Sequence, residues 1–305
     1  MTVTYQTLES ARYVHGASRI DCYLCGNDNL TDAEHCRECR APMALAHQAT
    51  AQCVLPRFLA IIGASGVGKT VYLGMLLDML SRHGGDLQLL ARGAFSLSLQ
   101  QAVIGALARC EFPPKTRCEP EHWNWMHCQL SAAGQRRPWE LMLPDFSGEA
   151  LFSEIDHALT YPGIRALLWQ ARGRLVLIDA PALARGCREQ AYYGRKLLHY
   201  LAELPHEIGK RAKTPLAIVM TKADQCEESF LDLRGFAEQH AAGLIHVLEE
   251  RFPNFRIFAA SVVGSCYDYQ CRGYGRLSVP SRIEPQGVIE PFLWLIREME
   301  KQGCG

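Results

Sequence analysis

Four constellations in the chain have the residue types and spacing of phosphate or metal chemistry. The first is Gly63-Ala64-Ser65-Gly66-Val67-Gly68-Lys69-Thr70. Its G-x-x-x-x-G-K-[ST] spacing lets backbone N–H groups converge on phosphate oxygens. Lys69 can then reach the β- and γ-phosphates, and the Thr70 hydroxyl is placed for Mg²⁺. The second is Asp145-Phe146-Ser147-Gly148-Glu149. Asp145 is a carboxylate for the magnesium side of such a site. Gly148 can offer its N–H to a γ-phosphate and let the loop swing when that phosphate leaves.

The third, Thr221-Lys222-Ala223-Asp224, bears on the base. A carboxylate at Asp224 can accept two hydrogen bonds from the N1–H and exocyclic amine of guanine. Adenine offers neither group there, and a buried carboxylate left unpaired rejects it. Lys222 can lay its stem along the base. Taken singly, D-x-x-G and T-K-x-D match many turns; here their order behind the phosphate loop carries the reading. Asp179 is a rival for the metal carboxylate, but Ala180-Pro181 follow it and it reads as a loop acid.

The fourth is Cys22, Cys25, Cys36 and Cys39, two C-x-x-C knuckles with ten residues between them. Four thiolates close a tetrahedral zinc shell with no open position, so such a site is structural. Its binding energy folds a module of about 25 residues that could not build a core of its own. His35 beside Cys36 reads as a surface histidine, because four thiolates complete the shell.

These residues need elements to hold them. An apolar run over 58–62 predicts a buried strand ending in the phosphate loop, and the Leu- and Met-rich run over 72–80 predicts the helix that follows. Further strands are expected over 86–91, 122–130, 139–143, 174–179, 215–220 and 255–261, the last of them delivering Ala259-Ala260-Ser261. Helices are expected over 96–109, 190–204, 236–250 and 286–300. Two prolines make 112–116 an exposed loop. Residues 264–282 read as an irregular loop in which Cys266 and Cys271 are free thiols. The whole is an α/β chain with a doubly wound, mostly parallel sheet preceded by a small zinc ribbon. Its expected divisions are a leader over 1–18, the ribbon over 19–42, a linker without clear period over 43–56, and one nucleotide-binding domain with insertions over 57–305.

Composition bounds the partners. Net charge is +0, so no global field favours nucleic acid or an anionic membrane. Up to Ala46 the acids Glu9, Asp21, Asp28, Asp32, Glu34 and Glu38 outnumber Arg12, Arg19, Arg37 and Arg40, which argues against a phosphate-backbone footprint on the ribbon. No run approaches the roughly 20 apolar residues of a membrane span. The first twenty residues lack a secretory h-region, so the thirteen cysteines are expected to sit reduced in the cytoplasm.

With the three nucleotide motifs in order ahead of Ala260-Ser261, the chain resembles a translation-factor- and Ras-like GTPase domain from about residue 57 to 300. The ribbon and the Pro113-Pro114-Lys115-Thr116 loop are similar to bacterial double-GTPase-type proteins of conflict and signalling systems. The resemblance implies GTP and GDP as ligands, Mg²⁺ and Zn²⁺ as metals, and a second GTPase or an effector as protein partner. It implies that the turn from Gly63 through Ala64, Ser65, Gly66, Val67, Gly68, Lys69 and Thr70 into Val71 holds the phosphates. It implies Thr70, Thr116 and Asp145 around magnesium, Thr116 being the switch I threonine. It implies catalytic roles for Lys69, Thr116, Gly148 and Glu149. Ala260 and Ser261 would line the guanine beside Thr221, Lys222 and Asp224 through backbone N–H groups.

Two departures from that pattern matter. Glu149 stands where many relatives have a water-orienting glutamine, and Ser65 stands where small relatives often have glycine, crowding an incoming arginine finger. A GTP-hydrolysing switch, slow without a partner, is the reading these residues favour. A nucleotide-binding scaffold with negligible hydrolysis, or a P-loop ATPase in which Thr221–Asp224 is fortuitous, stand as alternatives.

Overall fold

The computed structural model describes residues 18–52, 54–82, 87–132, 137–204, 214–226, 228–271 and 275–303. Apart from Ser18, the leader expected over 1–18 lies outside the described residues. The ribbon opens with a two-stranded antiparallel pair, β1 (Arg19–Asp21) and β2 (Asp28–Leu30), followed by helix α1 (Met43–Gln52). The nucleotide domain then runs β3 (Arg57–Gly63), α2 (Lys69–Arg82), β4 (Leu87–Arg92), α3 (Gly93–Ala108), β5 (Asn124–Ala132) and β6 (Trp139–Asp145). It continues with α4 (Gly148–Asp156), α5 (Pro162–Gln170), β7 (Gly173–Asp179), α6 (Ala180–Ala184), α7 (Arg188–Glu203) and β8 (Leu216–Thr221). It closes with α8 (Glu228–Leu231), α9 (Leu233–Arg251), β9 (Phe255–Ala259), β10 (Ser265–Cys271), β11 (Gly275–Arg282) and α10 (Ile289–Gly303).

Seven strands form the central sheet in the order β4-β5-β6-β3-β7-β8-β9. The pairings from β6 through β9 are parallel, and β4–β5 and β5–β6 are antiparallel. Both faces are covered, which is why β3, β7 and β8 read as continuous apolar runs rather than alternating ones. Successive β3 residues point to opposite sides. Phe58, Ala60 and Ile62 pack with α5, α7, α9 and the ribbon, whereas Leu59 and Ile61 pack with α2, α3 and α10. Helix α10 shows the matching helical period, burying Phe292, Leu295, Ile296 and Met299 on one stripe.

The structure corrects two expected segments. Residues 43–52, expected to be without regular period, are the helix α1. Its sequence MALAHQATAQ is rich in alanine, the best helix former, so it needs no strong amphipathic period to form. Met43 and Ala46 anchor it in the core, and Gln48 Oε1 lies 3.3 Å from His127 Nδ1 on β5. Residues 264–282 are mostly the antiparallel hairpin β10–β11, not an irregular loop, and β9 is therefore not the last strand. Cross-strand pairing from Ser265 to Arg282 holds that hairpin despite its glycines.

The ribbon is docked on the domain. Cys22, Leu24, Cys36, Cys39 and Met43 belong to the same buried cluster as Phe58, Ile62 and Met142. Tyr23 stacks on Phe58 and meets Trp125 edge-on, each at 6.1 Å between ring centroids.

Candidate nucleotide site and zinc centre

The phosphate loop lies where parallel β3 meets α2, at the carboxyl ends of the central strands. Gly66 and Gly68 have φ of +78° and +95°, a region that L side chains rarely adopt. These turns aim successive N–H groups into one hollow, and α2 adds its positive end. Lys69 is buried, and its Nζ donates to the carbonyls of Gly63 and Ala64 at 3.0 Å each. Burial pushes its pKa down to about 8, against the pull of Asp145 and Glu149.

Asp145 ends β6 and is 2% exposed. Its Oδ2 accepts the Thr70 hydroxyl at 2.8 Å and the Thr116 hydroxyl at 3.2 Å, and the two hydroxyls are 3.1 Å apart. The loop 112–118, which joins α3 to β5, thus brings Thr116 to the phosphate loop. Burial raises the Asp145 carboxyl, with hydrogen bonds from Thr70, Thr116 and Asn124 and the charge of Lys69 opposing that rise. Two hydroxyls and a buried carboxylate converging this closely form a hard-oxygen set that suits Mg²⁺. Asn124, opposite Asp145 in the β5–β6 register, has no motif around it and escaped the sequence reading.

Gly148 begins α4, with Ser147 as its cap, accepting from the Glu149 N–H at 3.2 Å. A Cβ at Gly148 would lie 2.4 Å from the Ser65 nitrogen, so only glycine permits this approach to the phosphate loop. The same approach brings Glu149 Oε1 within 3.1 Å of the Ser65 hydroxyl, which donates to it. The Cys118 thiol reaches the other Glu149 oxygen at 3.5 Å.

At the other end, Thr221 Oγ1 lies 2.9 Å from the Val67 carbonyl and 3.1 Å from that of Ile178, locking β8 to the phosphate loop. Lys222 adopts φ +57° and pairs with Asp179, which also caps α6 by accepting from the Ala182 N–H at 2.8 Å. Asp179 is thus a strand-end acid that caps α6, where its sequence context suggests a loop acid. Asp224 Oδ1 lies 2.5 Å from the Ser261 hydroxyl. The expected backbone donors of the 260–261 segment are otherwise engaged: the Ala260 N–H donates to Met220 at 2.8 Å and the Ser261 N–H to Gln286 at 2.8 Å. Ser261 therefore meets Asp224 through its side chain, while both backbone N–H groups bond within the protein.

Most of these pieces line one cavity of about 790 Å³, walled by 65–72, 112–116, Ser147, Gly148, Thr221, Lys222, Asp224 and Ala260; Asp145, Glu149 and Ser261 are not on its wall. It is of the size that takes a nucleotide-scale ligand. Arg185, Gln225, Val263 and Cys266 also line it and were missed. Arg185 follows the short α6 and has no spacing relation to any motif, so no sequence signal marks it.

The four cysteine sulfurs lie within 4.8 Å of one another. Cys22 and Cys39, and Cys25 and Cys36, are paired at 3.6 Å. Sulfurs on ~2.3 Å bonds to a tetrahedral zinc are about 3.8 Å apart, so the set fits the ion. The hydrogen bond from Cys39 lowers the Cys22 thiol, while burial raises that of Cys25. Without a cation the thiols compete for protons; with one, all four can ionise. Asn29 donates to the Cys36 sulfur at 3.5 Å, an outer partner the spacing did not reveal. His35 is not among the ligands.

A strand–loop–helix phosphate cradle on a mostly parallel sheet, with a strand-end carboxylate opposite it, defines a P-loop nucleotide-binding protein. The particular family follows from sequence comparison. The profile of the Double-GTPase 2 family matches residues 57–267, and the chain belongs to that family. Membership supports GTP binding. No curated protein matches the chain. Among solved structures, a Sar1-type ADP-ribosylation-factor-like protein from Encephalitozoon cuniculi, in complex with GDP, is 12% identical. That match covers 81% of this chain and 82% of the other, at a TM-score of 0.39. The GTPase-like domain of Ski7 from S. cerevisiae, bound to GDP and inorganic phosphate, is 17% identical over 84% of this chain, at a TM-score of 0.48. The chain spans 52% of the length of that structure. A putative nucleolar GTP-binding protein 1 from Plasmodium falciparum is 12% identical, with 82% and 89% covered and a TM-score of 0.41. No helix among the described residues is long and apolar enough to cross a membrane.

Proposed function

We propose that the chain is a GTP-hydrolysing switch whose nucleotide state controls the recruitment of a protein partner, a second GTPase or an effector, in the cytoplasm. The observation that carries this reading is the convergence of Thr70, Thr116 and Asp145 within 3.2 Å of one another. A residue of an otherwise irregular loop meets the phosphate loop and the D-x-x-G strand at one point. A γ-phosphate added or removed beside that point changes what holds the loop.

In this reading the glycine-loop N–H groups and the Lys69 ammonium bind the β- and γ-phosphates, and Lys69 turns from its two carbonyls toward them. Thr70, Thr116 and Asp145 would hold Mg²⁺, which would neutralise charge on the phosphate oxygens. Gly148 offers its N–H on the γ-phosphate side. Asp224, braced by Ser261, selects guanine, with Lys222 along the base.

The Ser65–Glu149 hydrogen bond supports a second reading, the scaffold that holds GTP and barely cleaves it. A carboxylate tied beside the γ-phosphate adds negative charge where charge develops, and it cannot present the amide that orients water. Single-turnover hydrolysis on zinc-replete protein separates the two. Measurable phosphate release supports the switch, and none over many hours leaves the scaffold.

A further inference from the structure

Trp123 belongs to none of the motifs, yet three parts of the framework meet on its ring. Its indole N–H donates to the carbonyl of Arg117, the residue after Thr116, at 3.2 Å. Its ring lies 5.8 Å from that of Phe146, the residue after Asp145. On the third side is the start of α5, where the Tyr161 ring lies 5.8 Å from the indole, with the ribbon behind it. Gly163 in α5 separates the indole from the second knuckle: a Cβ there would lie 2.6 Å from the Cys39 carbonyl and 3.7 Å from the Trp123 ring. An ion pair of 2.5 Å between Arg40, next to Cys39, and Glu121 ties that knuckle to the turn just before Trp123.

We propose that Trp123 is a positioning residue for the nucleotide chemistry. It holds the 112–118 loop so that Thr116 meets Thr70 and Asp145; Tyr161 and Gly163 at the start of α5 seat the ring, and the four-cysteine ribbon backs that seat. The inference rests on the GTPase reading above. The loop has no regular secondary structure around Thr116, so side-chain bonds at Thr116, Arg117 and Cys118 do the holding that a backbone ladder would do. The indole is 7% exposed, so its bond to Arg117 is shielded from competing water. Phe146 against the same ring couples the D-x-x-G segment to that bond. GDP lacks the phosphate that Thr116 faces, so loosening the loop weakens handling of the triphosphate and spares the diphosphate. Coupling between two sites is reciprocal, so the nucleotide state also acts on the seating of the ribbon.

The test is Trp123→Phe in the full chain, which keeps a ring and removes the donor. Single-turnover GTP hydrolysis should fall roughly five-fold, the worth of one such hydrogen bond, with GDP affinity and zinc content unchanged. Unchanged hydrolysis overturns the proposal. So does a fall matched by an equal loss of GDP affinity, which is the mark of a merely structural residue. Glu121→Arg, on the surface, tests the ribbon's part even if the first variant does not fold. It should slow hydrolysis about two-fold, and the swap Arg40→Glu with Glu121→Arg should restore the rate. A swap that restores nothing removes the ribbon from the proposal. If the wild type releases no phosphate at all, the functional reading fails first and the proposal falls with it.

Discussion

Glu149 shares its two carboxylate oxygens between the Ser65 hydroxyl and the Cys118 thiol, so the side chain is held beside Ser65 of the phosphate loop. An amide of the same shape can keep the Ser65 bond without the charge. Glu149→Gln is expected to raise single-turnover hydrolysis roughly ten-fold, a modest share of what one oriented group contributes at such a centre. A rate that stays the same or falls would show that Glu149 is not a brake. Lys69 makes a second prediction at this scale. Its ammonium is charged below pH 8 in the free site; above pH 8 it is increasingly the neutral amine. Bound phosphates raise its pKa, so binding above pH 8 must draw in a proton. GDP affinity should hold steady near pH 7 and fall toward ten-fold per unit above pH 8. Calorimetric titrations at pH 7 and pH 9 check this, and equal affinities would contradict it.

The ribbon was legible as a zinc module from four cysteine positions, because metal ligation demands spacing and little else. Its docking was not legible, because Leu24, Met43 and Phe58 carry no mark of which apolar surface each will meet. The docking would give a zinc bound there a wider role. A tethered ribbon could unfold without consequence for the domain, whereas this one shares the core cluster beneath β3. Cys22→Ser should abolish zinc binding and lower the melting temperature of the nucleotide domain by roughly 10 °C, as expected when a site contributing several kcal/mol is lost from a domain of this size. Domain melting unaffected by zinc loss would contradict the docked arrangement. The same limit explains two misread segments. In α1, alanine propensity makes a helix without an amphipathic stripe, and in β10–β11 the pairing that makes the hairpin is between strands, invisible to a pattern read along one.

At the scale of the molecule, the three nucleotide motifs were readable because each strand-end turn is a local solution to a chemical demand. The sheet order brings them together: β6, β3, β7 and β8 are neighbours, and their carboxyl ends carry Asp145, the phosphate loop, Asp179 and Thr221. What long-range packing alone decides stayed hidden, namely Arg185 and Cys266 on the cavity wall, Asn124 behind Asp145, and the bond from the Ser261 hydroxyl to Asp224. The Double-GTPase 2 assignment supports GTP binding, and Asp224, held by the Ser261 hydroxyl, is the carboxylate proposed to select the base. The most direct test of the account is the equilibrium affinity of the zinc-replete protein for GTP against ATP, wild type beside Asp224→Asn. The account predicts GTP bound at least ~100-fold more tightly than ATP, with most of that preference lost in the variant. Equal affinities in the wild type, or a GTP affinity indifferent to Asp224→Asn, would contradict it.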